Sequence, residues 1–295
     1  IFDYINGFHD AANAIATSVS TRALTPRVAL LMAAVLNFVG AWLGVEVAKT
    51  IQDIIDIESA GITSPTEQAH ALTIVLAALV GAIAWNLITW YYGIPSSSSH
   101  ALIGGLLGAS TTWAMSLHIV KWDGVLHKVI IPLVTSPVIG LLLGFMLMKF
   151  LFLVLTWASP HFVNRWFFKL QIVSAGFMAW SHGMNDAQKS MGIITLALIS
   201  AGFLPVNANV PTWVMLLCAL AMAGGTACGG WRIIKTMGMN MFRLKPINGF
   251  AADTSGAAVI ATASMLGAPV STTHVISSAI MGVGAAKRVS AVRWM

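Results

Sequence analysis

The sequence predicts an all-α, polytopic transmembrane fold made of two repeats inserted in opposite orientations, with broken or re-entrant helices. Three observations predict it. First, 57% of the 295 residues are hydrophobic and only 9% are charged, whereas roughly a quarter of a soluble domain's residues are charged. The mean hydropathy of +0.82 agrees. Second, apolar stretches of roughly 17 to 25 residues, enough to cross a bilayer core as helix, recur along the whole length. Third, two polar islands interrupt those stretches in the same manner: Gly93-Ile-Pro-Ser-Ser-Ser-Ser-His100 and Gly267-Ala-Pro-Val-Ser-Thr-Thr-His274.

The opening run, 1–8, reads as the end of a helix continuing from a preceding segment, with no cleavable signal peptide. A break is expected at His9-Asp10, with Asp10 capping a new helix over 11–20. A short basic loop (Arg22, Arg27) leads to a span over 28–48, then to a loop over 49–68 holding Asp53, Asp56, Glu58 and Glu67. The next span, 69–92, ends at the first island, and 101–118 follows it. Residues 129–148 span again. Residues 149–169, with Trp157, Trp166, Arg165 and Lys169, suit an interfacial segment. The run 170–180 is expected to break at Ser181-His-Gly-Met-Asn-Asp186 and resume over 187–201. A span over 213–231 precedes a basic loop (Arg232, Lys235, Arg243, Lys245), and a short span over 250–266 reaches the second island. A helix over 275–286 and a basic tail (Lys287, Arg288, Arg293) complete the chain.

The islands are the organising feature. Gly and Pro stop a helix, and Ser or Thr caps the next one. The resulting helix start has N–H groups without partners and the positive end of the helix dipole, a setting that binds anions.

Two motifs recur in the same order. Asp10 and Asp186 are offset by about 176 positions and His100 and His274 by about 174. The loop after the first motif is basic, whereas the loop after the second, 202–212, carries no charge; one span later the signs exchange. Under the positive-inside rule the two copies therefore insert with opposite orientation. The chain divides into a first repeat at 1–118, a connecting segment at 119–169 and an inverted second repeat at 170–295. Inverted repeats with polar breaks near mid-membrane mark a secondary transporter.

Asp10 and Asp186 lie in apolar segments, where a charge costs roughly 2.5–3.5 kcal/mol on insertion scales unless it is paired or wet. Their bland role is helix capping; their functional role is to hold a coupling cation, with His9 and Asn185 beside them. Ser97, Ser98, Ser99, Ser271, Thr272 and Thr273 supply hydroxyl donors suited to a tetrahedral oxyanion, with Asn13, Gln188 and Lys189 as further candidates. Packing between helices is the alternative use of such small hydroxyl residues. An anion beside carboxylates requires a co-bound proton or cation, which makes Asp10 and Asp186 also the candidate ligands for Na⁺ or a metal–phosphate complex. Asp253 is a candidate for the same cavity, and His100, His182 and His274 read as buried, satisfied rings. Cys218 and Cys228, ten residues apart on one helix, do not face each other, against a disulfide or metal pair. The basic residues sit in loops, so the net charge of +6 reports topology and argues against nucleic-acid binding.

At these residues the sequence resembles the inorganic phosphate transporter (PiT) family, in particular its bacterial low-affinity permeases. The resemblance is carried by Asn6-Gly-Phe-His-Asp-Ala-Ala-Asn-Ala14, Trp85-Asn-Leu-Ile-Thr-Trp90, Tyr92-Gly-Ile-Pro-Ser-Ser-Ser-Ser-His100, Ser181-His-Gly-Met-Asn-Asp-Ala-Gln-Lys189 and Ala268-Pro-Val-Ser-Thr-Thr-His274. It implies symport of phosphate with H⁺ or Na⁺, or of a neutral divalent-metal (Mg²⁺) phosphate complex. It also implies a location in the inner (plasma) membrane, usually as a homodimer, with no resident cofactor, and a further C-terminal span. His9 stands where sodium-coupled members typically have Asn, which weighs against a sodium site in that repeat. Sulfate is the alternative substrate, and retention of both Asp residues favours phosphate. A serine hydrolase is disfavoured, because Ser99 and His100 are neighbours at a helix start and no Gly-x-Ser-x-Gly elbow is present.

Overall fold

The structure is a computed structural model that describes residues 1–54, 65–117, 120–240 and 243–293. Asp56, Glu58 and His118 of the expected elements lie outside the described residues. Those described are helical throughout: α1 (Phe2–Ser20), α2 (Pro26–Ala41), α3 (Glu46–Gln52), α4 (Pro65–Tyr92), α5 (Ser98–Ala114), α6 (Trp122–Val125), α7 (Ile131–Val154), α8 (Pro160–Ser200), α9 (Thr212–Cys228), α10 (Trp231–Lys235), α11 (Pro246–Met265) and α12 (Thr272–Lys287). Prolines open α2, α8 and α11 at a first-turn position, where the missing N–H costs nothing. A π turn over Leu126–Ile130 joins α6 to α7 just before Pro132, which has no N–H to give the preceding turn.

Two expectations need correction. α1 runs unbroken through His9-Asp10, and α8 runs unbroken over 41 residues through Ser181–Asp186. The side chains in these stretches find partners on other helices as well as on their own, so they need no local cap, and Gly7 and Gly183 serve close packing. The breaks fall elsewhere. α2 meets α3 at 68°, and Thr212–Cys228 meets Trp231–Gly238 at 62°. Residues 160–169 form the first part of α8.

Both islands do interrupt helices, and they do so with the same bonds. Gly93 and Gly267 have φ of +68° and +71°. Gly93 N–H bonds Trp90 O and Ile94 N–H bonds Thr89 O, while Gly267 N–H bonds Ser264 O and Ala268 N–H bonds Ala263 O. This is the Schellman end, which needs a left-handed residue that glycine supplies without strain. Ser97 then caps α5 by accepting His100 N–H at 3.1 Å, and Ser271 caps α12 by accepting His274 N–H at 3.2 Å.

The repeats interlock by exchange. α2 of the first packs on α8 of the second, and α9 of the second packs on α1 of the first; α3 and α10 follow the same swap. Matching glycines allow the crossings. A Cβ on Gly7 would strike the backbone of Met222, and one on Gly225 the backbone of Tyr4; a Cβ on Gly183 would strike Asn37, and one on Gly40 Trp180. Each set is the other's counterpart in the duplication, so the internal symmetry extends to helix contacts.

Among the described residues, Thr66–Tyr92 and Trp122–Val154 are long and apolar enough to cross a membrane alone, and the two bent pairs are apolar enough only when each is taken together. Their outward faces carry exposed Leu76, Val80, Ile88, Val138, Leu142 and Met146, a surface suited to lipid.

Candidate functional site

α1 and α8 cross the middle of the protein, and the starts of α5 and α12 meet them there. On α1, His9 Nδ1 lies 2.6 Å from Asp10 Oδ1. Ser98 Oγ, at the start of α5, donates to Asp10 Oδ2 at 2.9 Å. Thr273 Oγ1, at the start of α12, donates to Asp10 Oδ1 at 3.4 Å. One carboxylate thus touches the islands of both repeats.

On α8, Lys189 Nζ donates to Asp186 Oδ1 at 2.5 Å, to Ser99 Oγ at 2.5 Å and to Val270 O at 3.1 Å. Thr272 Oγ1 donates to Asp186 Oδ2 at 3.2 Å. His182, one turn earlier, brings Nε2 within 3.2 Å of the same oxygen, but off the direction a hydrogen bond requires. Asn13 Nδ2 reaches Thr272 and Thr273 Oγ1 at 3.2 and 3.0 Å, leaving its Oδ1 without a partner. His9, Asp10, Asn13, Asp186 and Lys189 are each at most 1% exposed.

The structure therefore brings together His9, Asp10, Asn13, Asp186, Lys189, Ser98, Ser99, Thr272 and Thr273. Ser97 and Ser271 stand at the edge as the caps of α5 and α12. Two candidates point elsewhere. Gln188 Oε1 accepts Val47 N–H at 2.8 Å and so caps α3. Asn185 Nδ2 turns to Ser264 Oγ at 2.8 Å and Ala268 O at 3.4 Å. Asp253 is also outside the cluster; Thr17 Oγ1 donates to its carboxylate at 2.7 Å. His100 and His274 are not buried as expected: their rings lie 5.2 Å apart, both on the exposed side of the two helix starts.

Two participants were missed. Thr89 on α4 bonds His9 Nε2 at 3.0 Å and receives Ser96 Oγ at 2.9 Å. Its one mark in the sequence was its place in the stretch Trp85-Asn-Leu-Ile-Thr-Trp90. His182 was visible as the residue one helical turn from Asp186 on the same face.

Chemically, the cluster can hold charge of both signs. Ligand atoms of Asp10, His182 and Asp186 lie within 4.8 Å of one another, close enough to share a cation. The first turns of α5 and α12 offer N–H groups that have no carbonyl four residues back, together with hydroxyls, an anion-binding arrangement. Counted formally, the centre has two carboxylates against one ammonium when both histidines are neutral.

Known proteins match this chain over nearly its full length. The profile of the "Phosphate transporter family" matches residues 6–295. A "Probable low-affinity inorganic phosphate transporter" of Bacillus subtilis (strain 168) is 51% identical over 294 residues, covering 99% of this chain and 85% of that protein. Its namesake from Rhizobium meliloti (strain 1021) is 49% identical over 295 residues, with the same coverage of 99% and 85%. Among solved structures, "The sodium-dependent phosphate transporter" superposes with a TM-score of 0.85 at 28% identity, over 98% of this chain and 88% of that one.

Proposed function

The chain belongs to the phosphate transporter family, and on that premise we propose that the buried cluster binds inorganic phosphate together with a coupling cation, H⁺ or Na⁺, for import across the inner (plasma) membrane. The protein is a multi-pass secondary transporter and not an enzyme. One observation carries the assignment of the site: both intramembrane carboxylates and hydroxyls from both helix starts converge in one buried place.

Charge then dictates symport. With both histidines neutral, the centre carries a formal charge of minus one before any substrate arrives. Adding a phosphate anion to a buried site of that sign is prohibitive unless positive charge comes with it. The repeats divide that task unequally. Lys189 stands in the second repeat where Asn13 stands in the first, so Asp186 has a built-in cation. Asp10 has only the His9 ring, 2.6 Å away, and no built-in cation. The exchangeable cation therefore belongs to Asp10 and His9, and Lys189 holds Asp186. The hydroxyls of Ser98, Ser99, Thr272 and Thr273, with Asn13, contact the phosphate; Lys189 does so by giving up one of its three acceptors. Gln188 and Asn185 keep supporting roles on α3 and α11.

A second reading, transport of a neutral Mg²⁺–phosphate complex, is favoured by the spacing of Asp10, His182 and Asp186. The two differ in whether Mg²⁺ stimulates uptake at fixed pH. We keep three units in the proposal, 1–118, 119–169 and 170–295, and a homodimer, whose mass native mass spectrometry in detergent would read.

The test uses purified protein in liposomes with radiolabelled phosphate, with pH, Na⁺ and Mg²⁺ varied separately. Wild type should accumulate phosphate down an imposed cation gradient, with sulfate competing poorly. Asp10→Asn with Asp186→Asn should reduce accumulation at least a hundredfold. Uptake that survives the double substitution would remove the cluster from the mechanism.

A further inference from the structure

The short helices α3 and α10 each reach across to the helix break of the other repeat. Thr50 Oγ1, on α3, donates to Gly267 O at 2.7 Å. Thr236 Oγ1, in the π turn that follows α10, donates to Gly93 O at 3.0 Å. Thr50 and Thr236 stand about 186 positions apart in the chain, as do Glu46 and Arg232. Those last two supply the backbone that meets the glycines: a Cβ on Gly267 would lie 3.2 Å from Glu46 O, and one on Gly93 3.6 Å from Arg232 O. The duplication therefore keeps one contact twice. In each copy a threonine hydroxyl holds the carbonyl of the left-handed glycine from which the next helix start hangs.

Each hydroxyl has a second acceptor in reach. Thr50 Oγ1 lies 3.4 Å from Glu46 O, and Thr236 Oγ1 3.3 Å from Arg232 O, in both cases the carbonyl one turn back in its own segment. A hydroxyl has one proton, and the shorter bond goes to the glycine both times. Turning the hydroxyl back frees the glycine without leaving the donor unpaired, which is the costly outcome away from water. The bond to the glycine can thus be exchanged as well as broken. The two contacts lie on opposite flanks. α10 heads the basic stretch from Arg232 to Lys245 and so lies toward the cytoplasm, while α3 ends the bent pair that starts beside Arg27 and so lies toward the outside. Past each glycine the chain runs into the central cluster. Beyond Gly93, Ser98 bonds Asp10; beyond Gly267, Thr272 bonds Asp186 and Thr273 bonds Asp10.

We propose that Thr50 and Thr236 are positioning residues of the transport cycle: release of Gly267 by Thr50 opens the centre to the outside, and release of Gly93 by Thr236 opens it to the cytoplasm. This rests on the transport reading above and adds to it the residues that set the side of access. Neither threonine belongs to the phosphate cluster. Each acts through a glycine carbonyl, and through it on the helix start that carries the hydroxyls. Both bonds are made in the structure, and the cluster is buried from both sides. A glycine held by the opposite repeat is a hinge that cannot turn. Once its carbonyl is free, the dihedrals on either side of it can change and the helix start swings away from its carboxylate. Because each repeat holds the break of the other, a shift of one repeat against the other strains one bond and leaves its counterpart in place.

The experiment reads the side from which the centre can be reached. Thr273→Cys places a reporter in the cluster, and a small membrane-impermeant thiol reagent is applied to either face of vesicles that hold the full chain in one known orientation. Adducts at position 273 are read by mass spectrometry. Adding Thr50→Val should raise labelling from the outside at least fivefold and leave labelling from the cytoplasmic face within about twofold. Adding Thr236→Val should do the reverse. Thr50→Ser and Thr236→Ser keep the hydroxyl and should label at the parent rates. Loss of packing alone would raise both rates together. Equal changes on the two faces, no change, or an exchange of the faces between the two valine variants would overturn the proposal. Should a valine variant fail to fold, the Thr273→Cys protein answers without it by hydrogen exchange. Once labelled from the outside, it should exchange the Gly267 and Ala268 amides at least tenfold faster than before, with those of Gly93 and Ile94 unchanged. Acceleration at both breaks, or at neither, would sink the idea. Wild-type vesicles that take up no radiolabelled phosphate would instead overturn the transport reading, whatever the labelling shows.

Discussion

Replacing Lys189 with Met is the most informative single change in the centre. Met keeps the length and apolar stem of lysine and removes only the ammonium. That ammonium is 1% exposed and uses all three of its protons, on Asp186, Ser99 and Val270 O. Without it Asp186 keeps the Thr272 hydroxyl and a misdirected His182 ring, and the two carboxylates face each other with no fixed cation between them. Removing one partner of a buried ion pair costs about 3–5 kcal/mol, because the other charge stays buried. At about 2–4 °C for each kcal/mol, thermal unfolding in detergent should fall by roughly 10 °C. Phosphate binding, measured by calorimetry at fixed pH and salt, should weaken at least a hundredfold, since the anion would meet two uncompensated carboxylates. The second arm is Lys189→Met with Asp186→Asn. Neutralising the orphaned acid should restore most of the stability but not transport, a strong positive coupling in a double-mutant cycle. If the single variant bound phosphate within threefold of wild type, or the double variant were no more stable than the single, the charge argument for the second repeat would be wrong.

Two further outcomes follow from the same geometry. Gly183→Ala and Gly225→Ala should each abolish folded yield, because the new methyl meets the backbone of Asn37 or Tyr4, which cannot turn aside; Gly81→Ala, with nothing within 4 Å, should be neutral or stabilise by up to about 1 kcal/mol. Ser97→Ala removes only a cap and should cost about 1 kcal/mol of stability with modest change in uptake, whereas Ser98→Ala removes a donor to a carboxylate, about 1.5–3 kcal/mol, and should lower kcat/KM for phosphate uptake roughly ten- to a hundredfold.

What the sequence made legible was whatever is local or repeated. The islands read correctly because Gly, Pro and a capping Ser act within a few residues, and Gly93 and Gly267 end their helices with the same pair of bonds. The inverted duplication was readable because two motifs and a loop-charge pattern are each one-dimensional. The breaks at His9-Asp10 and Ser181–Asp186 were misread because polar residues in an apolar run suggest a local interruption. In the fold their partners come from α5 and α12, nearly 90 positions or more away in sequence, and the helices stay whole. Gln188 fails for the same reason: its spacing puts it beside Asp186, but the exchange of helices brings the start of α3 against it first. Thr89 lay in a stretch that carried the resemblance, but its contact with His9 exists only once α4 lies against α1.

The intact backbone of α1 and α8 has a mechanical consequence that broken helices would not have. Asp10 and Asp186 sit on continuous helices, gripped at crossings where glycine brings backbone against backbone, so they form the fixed part of the site. Ser98, Ser99, Thr272 and Thr273 sit at the starts of helices that hang from left-handed glycines, where small dihedral changes swing the tip. The bonds between the two parts are hydroxyl to carboxylate, and a phosphate oxygen competes for the same hydroxyl proton. A substrate that takes Ser98 or Thr273 from Asp10 frees that carboxylate to seek a cation at the same moment. Under the proposed assignment, occupancy by the anion and demand for the cation are set by one group of hydrogen bonds, which would let phosphate and its counter-charge bind together.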